Sequence, residues 1–400
     1  MPAESFNLRR IAVAVFGPTL LFGLGEGAIL PIVALSAREL GASVPTAALM
    51  VTLIGIGSLL SNIPASMLTL ARGERWALVA ASLWCALAMA LCAWTQQLWL
   101  FAVGCLLIGA AQAVFSLARQ SYLTDAAPPH YRARAMSTLG GVMRIGLFIG
   151  PFAGAAAIHR FGLAGAYGVG IAVLLVSALL SARLPDLEAH DPSAPAPPTA
   201  PDSTWLATLR DHARVFAALG VGVLLVSAVR SSRQAVIPLW ADHLGLQASV
   251  TSLIYGLAAG LEMLVFYPAG HLMDRKGRLW VALPSMLIMG VALLLTPLST
   301  GPASLLLAAA VIGFGNGISS GLIMTLGADH APRTGRARFL GLWRLMADIG
   351  AAGGPALLSL LAAVLSLASG IAATGLIGIA AAWQLARWIP RFGDRGSGRP

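Results

Sequence analysis

Asp125-Ala126-Ala127-Pro128-Pro129-His130-Tyr131-Arg132-Ala133-Arg134 is followed, 204 residues further on, by Asp329-His330-Ala331-Pro332-Arg333-Thr334-Gly335-Arg336-Ala337-Arg338. Both copies carry an acid, an Ala-Pro pair and an Arg-Ala-Arg restart. Proline has no amide hydrogen and biases the residue before it away from helix, so each copy reads as a polar turn between two helices. Working outward at the same offset, Ile145-Gly146 and Gly150-Pro151 match Ile349-Gly350 and Gly354-Pro355. Upstream, Pro64-Ala65 matches Pro268-Ala269, Gly73 matches Gly277, Trp76 matches Trp280 and Gly109 matches Gly313. The chain is two copies of one plan.

The turns are separated by apolar runs. Of 400 residues 58% are hydrophobic and 10% charged, and the mean hydropathy is +0.81, far from the make-up of a soluble domain. A membrane-spanning helix takes about 20 apolar residues. Runs of that length lie near 11–35, 47–70, 76–95, 98–121, 136–158 and 163–182, then near 216–240, 249–271, 279–297, 303–326, 338–363 and 369–389. The expected fold is an all-α membrane protein of twelve transmembrane helices in two pseudo-symmetric six-helix bundles. Residues 1–183 form the first bundle, and residues 211–400 the second with a tail. Residues 184–210 are a Pro-rich linker, rich in Asp and Glu, running into a short surface helix that begins at Trp205 and continues through Leu209 toward Phe216.

Charge gives the topology. Outside the spans, nineteen Lys and Arg residues fall on the side of the N-terminus, against Arg38 and Arg160 on the other. Under the positive-inside rule this places both termini in the cytoplasm of a cell inner membrane. The net charge of +10 reports orientation rather than nucleic acid. The only lysine, Lys276, precedes Gly277, so no phosphate-binding Gly-Lys-Ser/Thr loop exists. Cys85, Cys92 and Cys105 read as core residues. The seven histidines sit in loops or at span ends without metal-ligand spacing. No catalytic cluster, metal site or cofactor is expected. Arg9 and Arg10 before an apolar run imitate a leader, but that run is too long and contains Glu26, so it reads as a first span.

Gly270-His271-Leu272-Met273-Asp274-Arg275-Lys276-Gly277-Arg278-Leu279 resembles the signature loop of the major facilitator superfamily, and the two-bundle layout resembles that family over essentially the whole chain. The resemblance implies that Asp274 interacts with the start of the fifth helix near Arg134 to Ser137. It also implies that Arg278 pairs with Asp329, latching one side of the transporter, with Gly270, Arg275 and Gly277 shaping the loop. The matching loop Ser66 to Arg75 has Leu70 in place of the acid, leaving Asp125 to Arg75 or Arg72. Gly146, Gly150, Pro151 and Gly154, echoed by Gly350, Gly354 and Pro355, resemble the glycine–proline motif of the family's antiporters and read physically as a packing seam. Leu30-Pro31 followed by Gly41 resembles the drug:proton antiporter branch, although Cys105 stands where that branch carries an arginine.

Eight charges fall inside apolar spans: Glu26, Arg119, Arg144, Arg230, Arg233, Glu262, Arg344 and Asp348. At about 2.5–3.5 kcal/mol each at the bilayer centre, they must face a cavity or one another. Aligning Pro31 with Pro238 makes Glu26 equivalent to Arg233, and Gln112 is equivalent to Asn316. With Arg119, these residues are the expected cavity and coupling set, Glu26 partnered by Arg230 or Arg233. Arg144 is expected to pair with Glu262 at a gate, and Asp348 with Arg344 or with Ser58 and Asn62.

The function expected is secondary active transport, namely proton-coupled efflux of small amphipathic or drug-like molecules driven by a proton gradient, with a monomer in the lipid bilayer and no nucleic acid. The alternatives are a metabolite or organic-anion transporter of the same fold, a transport-dead sensor, and a membrane-embedded enzyme.

Overall fold

The computed structural model describes residues 8–126, 132–185, 205–332 and 335–393. The linker 186–204, His130, His190 and the side chains of Asp125, Arg132 and Arg134 lie outside what is described. Twelve helices are long and apolar enough to cross a membrane: α1 Phe16–Glu39, α2 Val44–Thr69, α3 Ala71–Trp94, α4 Leu98–Thr124, α5 Ala135–Phe161, α6 Leu163–Ala182, α7 Ala213–His243, α8 Ala248–Lys276, α9 Leu279–Leu298, α10 Pro302–His330, α11 Arg338–Val364 and α12 Leu367–Phe392. Large apolar side chains such as Leu60, Ile63, Leu87, Leu264 and Leu376 stand exposed on them, as suits helices whose outer faces meet lipid.

The chain gathers into two compact units. One comprises Met1–Ala42, Leu53–Ser193 and Gln247–Gly256, the other Ser43–Thr52, Ala194–Leu246 and Leu257–Pro400. The first turns of α2 and α8 are thus exchanged between the sequence halves. Within the second unit Ser359 Oγ donates to the Pro45 carbonyl at 2.7 Å. Within the first, a Cβ on Gly256 would lie 2.9 Å from the Phe152 ring.

In each unit the tightest packing is backbone against backbone. A Cβ on Gly23 of α1 would stand 2.6 Å from the Met143 carbonyl oxygen of α5, and one on Gly27 2.8 Å from that of Leu147. Seen from α5, Gly146 and Gly150 press on the carbonyls of Leu20 and Leu24, and Gly154 on that of Ala28. In the second unit Gly350 and Gly354 of α11 press in the same way on Leu224 and Ala228 of α7. Any side chain at these positions holds the helices apart and forfeits the dispersion contact that drives association in lipid. A second pair of seams joins α2 to α4 through Gly109 on Ile54, and α8 to α10 through Gly313 on Ala258. Gly146, Gly150 and Gly109 match Gly350, Gly354 and Gly313 at the offset of 204, as do the residues they press on.

Among the described residues, α1 and α10 are broken and α7 carries a π-turn. α1 breaks at residues 30–32, where Pro31 has no amide hydrogen to donate, while α7 runs unbroken through Pro238. α10 breaks at 319–321 after the glycine-rich run Gly313, Gly315, Gly317, where helix propensity is low. α7 opens with a π-turn, Phe216–Gly220. Phe216, expected on the surface stripe begun by Trp205, is instead buried against Phe339 and Trp343, because the short helix ends at Asp211 and Phe216 already belongs to α7. The short helix Trp205–Asp211 keeps Trp205 and Leu206 exposed.

Candidate functional site

In the second unit, polar side chains of α7, α8 and α10 converge. Arg233 Nη2 lies 2.9 Å from Glu262 Oε2, each side chain 13% exposed. One turn earlier on α7, Arg230 Nε donates to Asn316 Oδ1 at 2.7 Å and its Nη1 to the Ser319 carbonyl at 3.4 Å. Asn316 is buried. The local sequence builds this cluster. Gly317 has no side chain, so the α8 backbone at Glu262 approaches to where a Cβ would lie 2.7 Å from the Glu262 carbonyl. The break at 319–321 turns the Ser319 carbonyl toward a guanidinium, and Ser319 Oγ donates back to Asn316 O at 3.2 Å. An ion pair this buried survives only with hydrogen bonds around it, and losing one member strands the other.

In the first unit Glu26 of α1 is half-buried. Phe22 and Phe115 stack at 3.9 Å between ring centroids and hold α1 against α4. Gln112 and Arg119 are half-buried on α4. The two sets of seams align α1 with α7 at an offset of 204, which makes Glu26 equivalent to Arg230, not to Arg233. Pro31 and Pro238 mislead because three extra residues separate the seam from the proline on α7.

Sequence reasoning gave Glu26 either Arg230 or Arg233 as partner and gave Glu262 to Arg144; the ion pair it did not anticipate joins Arg233 and Glu262. Arg144 is half-buried in α5 of the first unit. Asp348 meets Arg344 one turn away, with Nε to Oδ2 at 3.9 Å.

At the signature loop, Arg278 Nε and Nη2 donate to Asp329 at 2.7 and 3.1 Å, a two-pronged pairing between the start of α9 and the end of α10. These bonds hold the Arg278 pKa above its ordinary value, against partial burial, with the charges of Asp329 and Asp274 adding in the same direction. Asp274 and Arg275 are exposed. Gly277 has φ +93°, a left-handed turn that favours glycine, and Gly73 repeats it at φ +77°. Gly270 has open space where a Cβ would stand, so it makes no close approach.

One residue was overlooked. Glu74 stands at the position equivalent to Arg278, and Ser121 Oγ donates to its Oε1 at 2.9 Å. The signal was available: the same offset pairs Glu74 with Arg278 and Asp125 with Asp329, an acid facing an acid by alignment. Other buried polar links are Tyr167 to Ser36 at 3.1 Å and the chain from Ser82 through Ser177 to the Pro18 carbonyl. The three cysteines are buried and unbridged, and no cluster of metal-ligating side chains occurs among the described residues.

No curated protein sequence matches the chain. Among solved structures it is similar to a bacterial homologue of the human lysosomal transporter Spinster, in an inward-facing and unoccupied conformation, at 14% identity over 96% of each chain with a TM-score of 0.76. It is also similar to a D-xylose–proton symporter, at 15% identity over 94% of this chain and 96% of that one, with a TM-score of 0.73. The sequence model of the Major Facilitator Superfamily matches residues 15–355 and again 219–398. With a match over most of its length and twelve helices fit to span a bilayer, the chain belongs to the Major Facilitator Superfamily, a multi-pass membrane transporter and not an enzyme.

Proposed function

We propose that the protein is a proton-coupled secondary transporter that exports small amphipathic molecules by alternating access, using the proton gradient and no bound cofactor. It works as a monomer in an inner membrane with both termini cytoplasmic, as the basic-residue bias indicates. The observation that carries proton coupling is the carboxylate of Glu26, half-buried inside an apolar span. A carboxylate in an apolar span is costly when charged and gaining a proton removes that cost, so each protonation state favours a different arrangement of the helices around it. The buried ion pair of Glu262 with Arg233 contributes to the same switch. Arg278 with Asp329 forms the latch.

A second reading is an organic-anion or metabolite transporter. It is favoured by the count of intramembrane charges, five arginines against three acids, which an anionic substrate balances. The antiporter-like glycines carry less weight for the first reading than their spacing implied, since the same seam recurs in the second unit.

The test is reconstitution into proteoliposomes with an imposed proton gradient and a panel of cationic, neutral and anionic solutes. Proton-driven movement of amphipathic cations or neutral compounds is expected, and Glu26→Gln is expected to abolish the response to the gradient while leaving the protein folded. Undiminished proton-driven flux in that variant removes the coupling role, and transport confined to carboxylates selects the second reading.

A further inference from the structure

Where α7 begins and α12 ends, the second unit holds a cavity of about 780 Å3 lined by Arg214, Arg387 and Arg391 with Trp383, Trp388 and Phe392. Its floor is polar: Gln384 Nε2 donates at 3.0 Å to the carbonyl of Ala218, a residue of the π-turn, whose carbonyls are shifted off the ordinary helical ladder. The Arg387 guanidinium lies 5.3 Å from the Trp383 ring and 5.8 Å from the Trp388 ring, and that of Arg391 5.1 Å from Trp388. Trp383 is 60% exposed, and the three arginines are exposed as well. Among the described residues, no acid lines the cavity.

Three guanidinium groups converge on one space with no carboxylate among the described residues of its walls, so the site is complementary to an anion. Arginine presents a flat fork of donors that fits phosphate oxygens two at a time. Height within the membrane narrows the choice. The cavity lies at the end of apolar helices and carries indole rings, which settle at the headgroup level of a bilayer. Basic pockets between helix ends are where anionic headgroups bind, and the exposed ring of Trp383 with Phe392 offers an apolar wall for the first acyl carbons.

We propose that this groove is a binding site for an anionic phospholipid, its phosphate held by Arg214, Arg387 and Arg391 and its glycerol and upper chains resting on Trp383 and Phe392. The site is distinct from the charged residues of the transport pathway and does not depend on the substrate assigned above.

The test is native mass spectrometry of the full chain in detergent, titrated with tetraoleoyl cardiolipin, dioleoylphosphatidylglycerol and dioleoylphosphatidylcholine. Anionic lipid is expected to be retained in preference to phosphatidylcholine. Arg387→Gln is expected to weaken retention about five-fold and Arg387→Gln with Arg391→Gln about thirty-fold, the ratios that about 1 kcal/mol for each arginine at a membrane surface gives. The double Arg→Lys variant should keep most of the preference, which guards against misfolding of the Gln pair, and Arg160→Gln, at the far end of α5, should bind as the wild type does. Equal retention of phosphatidylcholine, or an unaltered Gln double variant, overturns the proposal. Displacement by millimolar inorganic phosphate makes the groove a free-anion site and overturns the lipid assignment. So does stronger lipid binding after neutralising Asp186, Glu188, Asp191 and Asp202, which would make the acidic linker the occupant.

Discussion

The two halves agree where backbones touch and differ where charges sit. Gly146 and Gly150 lie on Leu20 and Leu24 as Gly350 and Gly354 lie on Leu224 and Ala228, and the left-handed turn of Gly277 recurs at Gly73. At the next position, however, the second half has Arg278 clasping Asp329, while the first has Glu74 taking a hydrogen bond from Ser121. Deeper in the bundles, Glu26 is equivalent to Arg230, an acid against a base. A glycine seam is set by sterics, and both copies of a fold must satisfy it. A charge is set by what it does, and a duplicated chain is free to change it in one copy. Departures from the repeat therefore mark function more reliably than agreements do.

This contrast can be broken at graded cost. The largest effect on stability is expected from Arg233→Met, which strands the Glu262 carboxylate and should cost about 3–5 kcal/mol. Arg233→Met with Glu262→Leu should recover most of that loss in thermal melting of the purified protein, and a double variant no better than the single denies the pair its role in the fold. Next come the seams: Gly150→Ala and Gly354→Ala should each cost about 1–3 kcal/mol through overpacking. Gly140→Ala and Gly353→Ala, which have open space beside them, should gain up to about 1 kcal/mol from helix propensity. If Gly150 tolerates alanine and Gly354 does not, the seams are not equivalent after all.

Smaller still is Arg278→Gln. The pair with Asp329 is partly exposed, so equilibrium stability should fall by only about 0.2–1 kcal/mol; a latch function predicts a larger change in transport rate than in melting temperature. Ser121→Ala should have the least effect, below about 1 kcal/mol for one half-exposed hydrogen bond. Transport that responds as strongly to Ser121→Ala as to Arg278→Gln would show that the first half keeps a latch of its own.

The spans, the duplication and the seams were legible because hydropathy and small-residue spacing are local and repeat in register. Pairing of the buried charges was not. Arg233 and Glu262 were each recognised as costly, yet partners depend on the rotation of α7 and α8 about their axes and on their height, and a proline-based alignment displaced α7 by three residues, nearly one turn along its axis. The contact between Gly317 and the Glu262 backbone fixes it, and no reading of α8 alone contains that information. The Arg278–Asp329 contact was anticipated only through the signature loop. Glu74 did not stand out as a site residue because the loop's motif breaks at Leu70, where the second half has Asp274, and reverses its charge only at Glu74, where the second half has Arg278.

Helices laid peptide on peptide, as α1 is on α5 and α7 on α11, have no side-chain slack to absorb displacement. Each such joint behaves as a weld: pushing one member moves the other with it. Compliance within either half then belongs to the places where the ladder of amide bonds is cut, at Leu30 to Ile32 and at Ser319 to Gly321, and a rearrangement that begins at a buried proton or solute has these two elbows through which to bend.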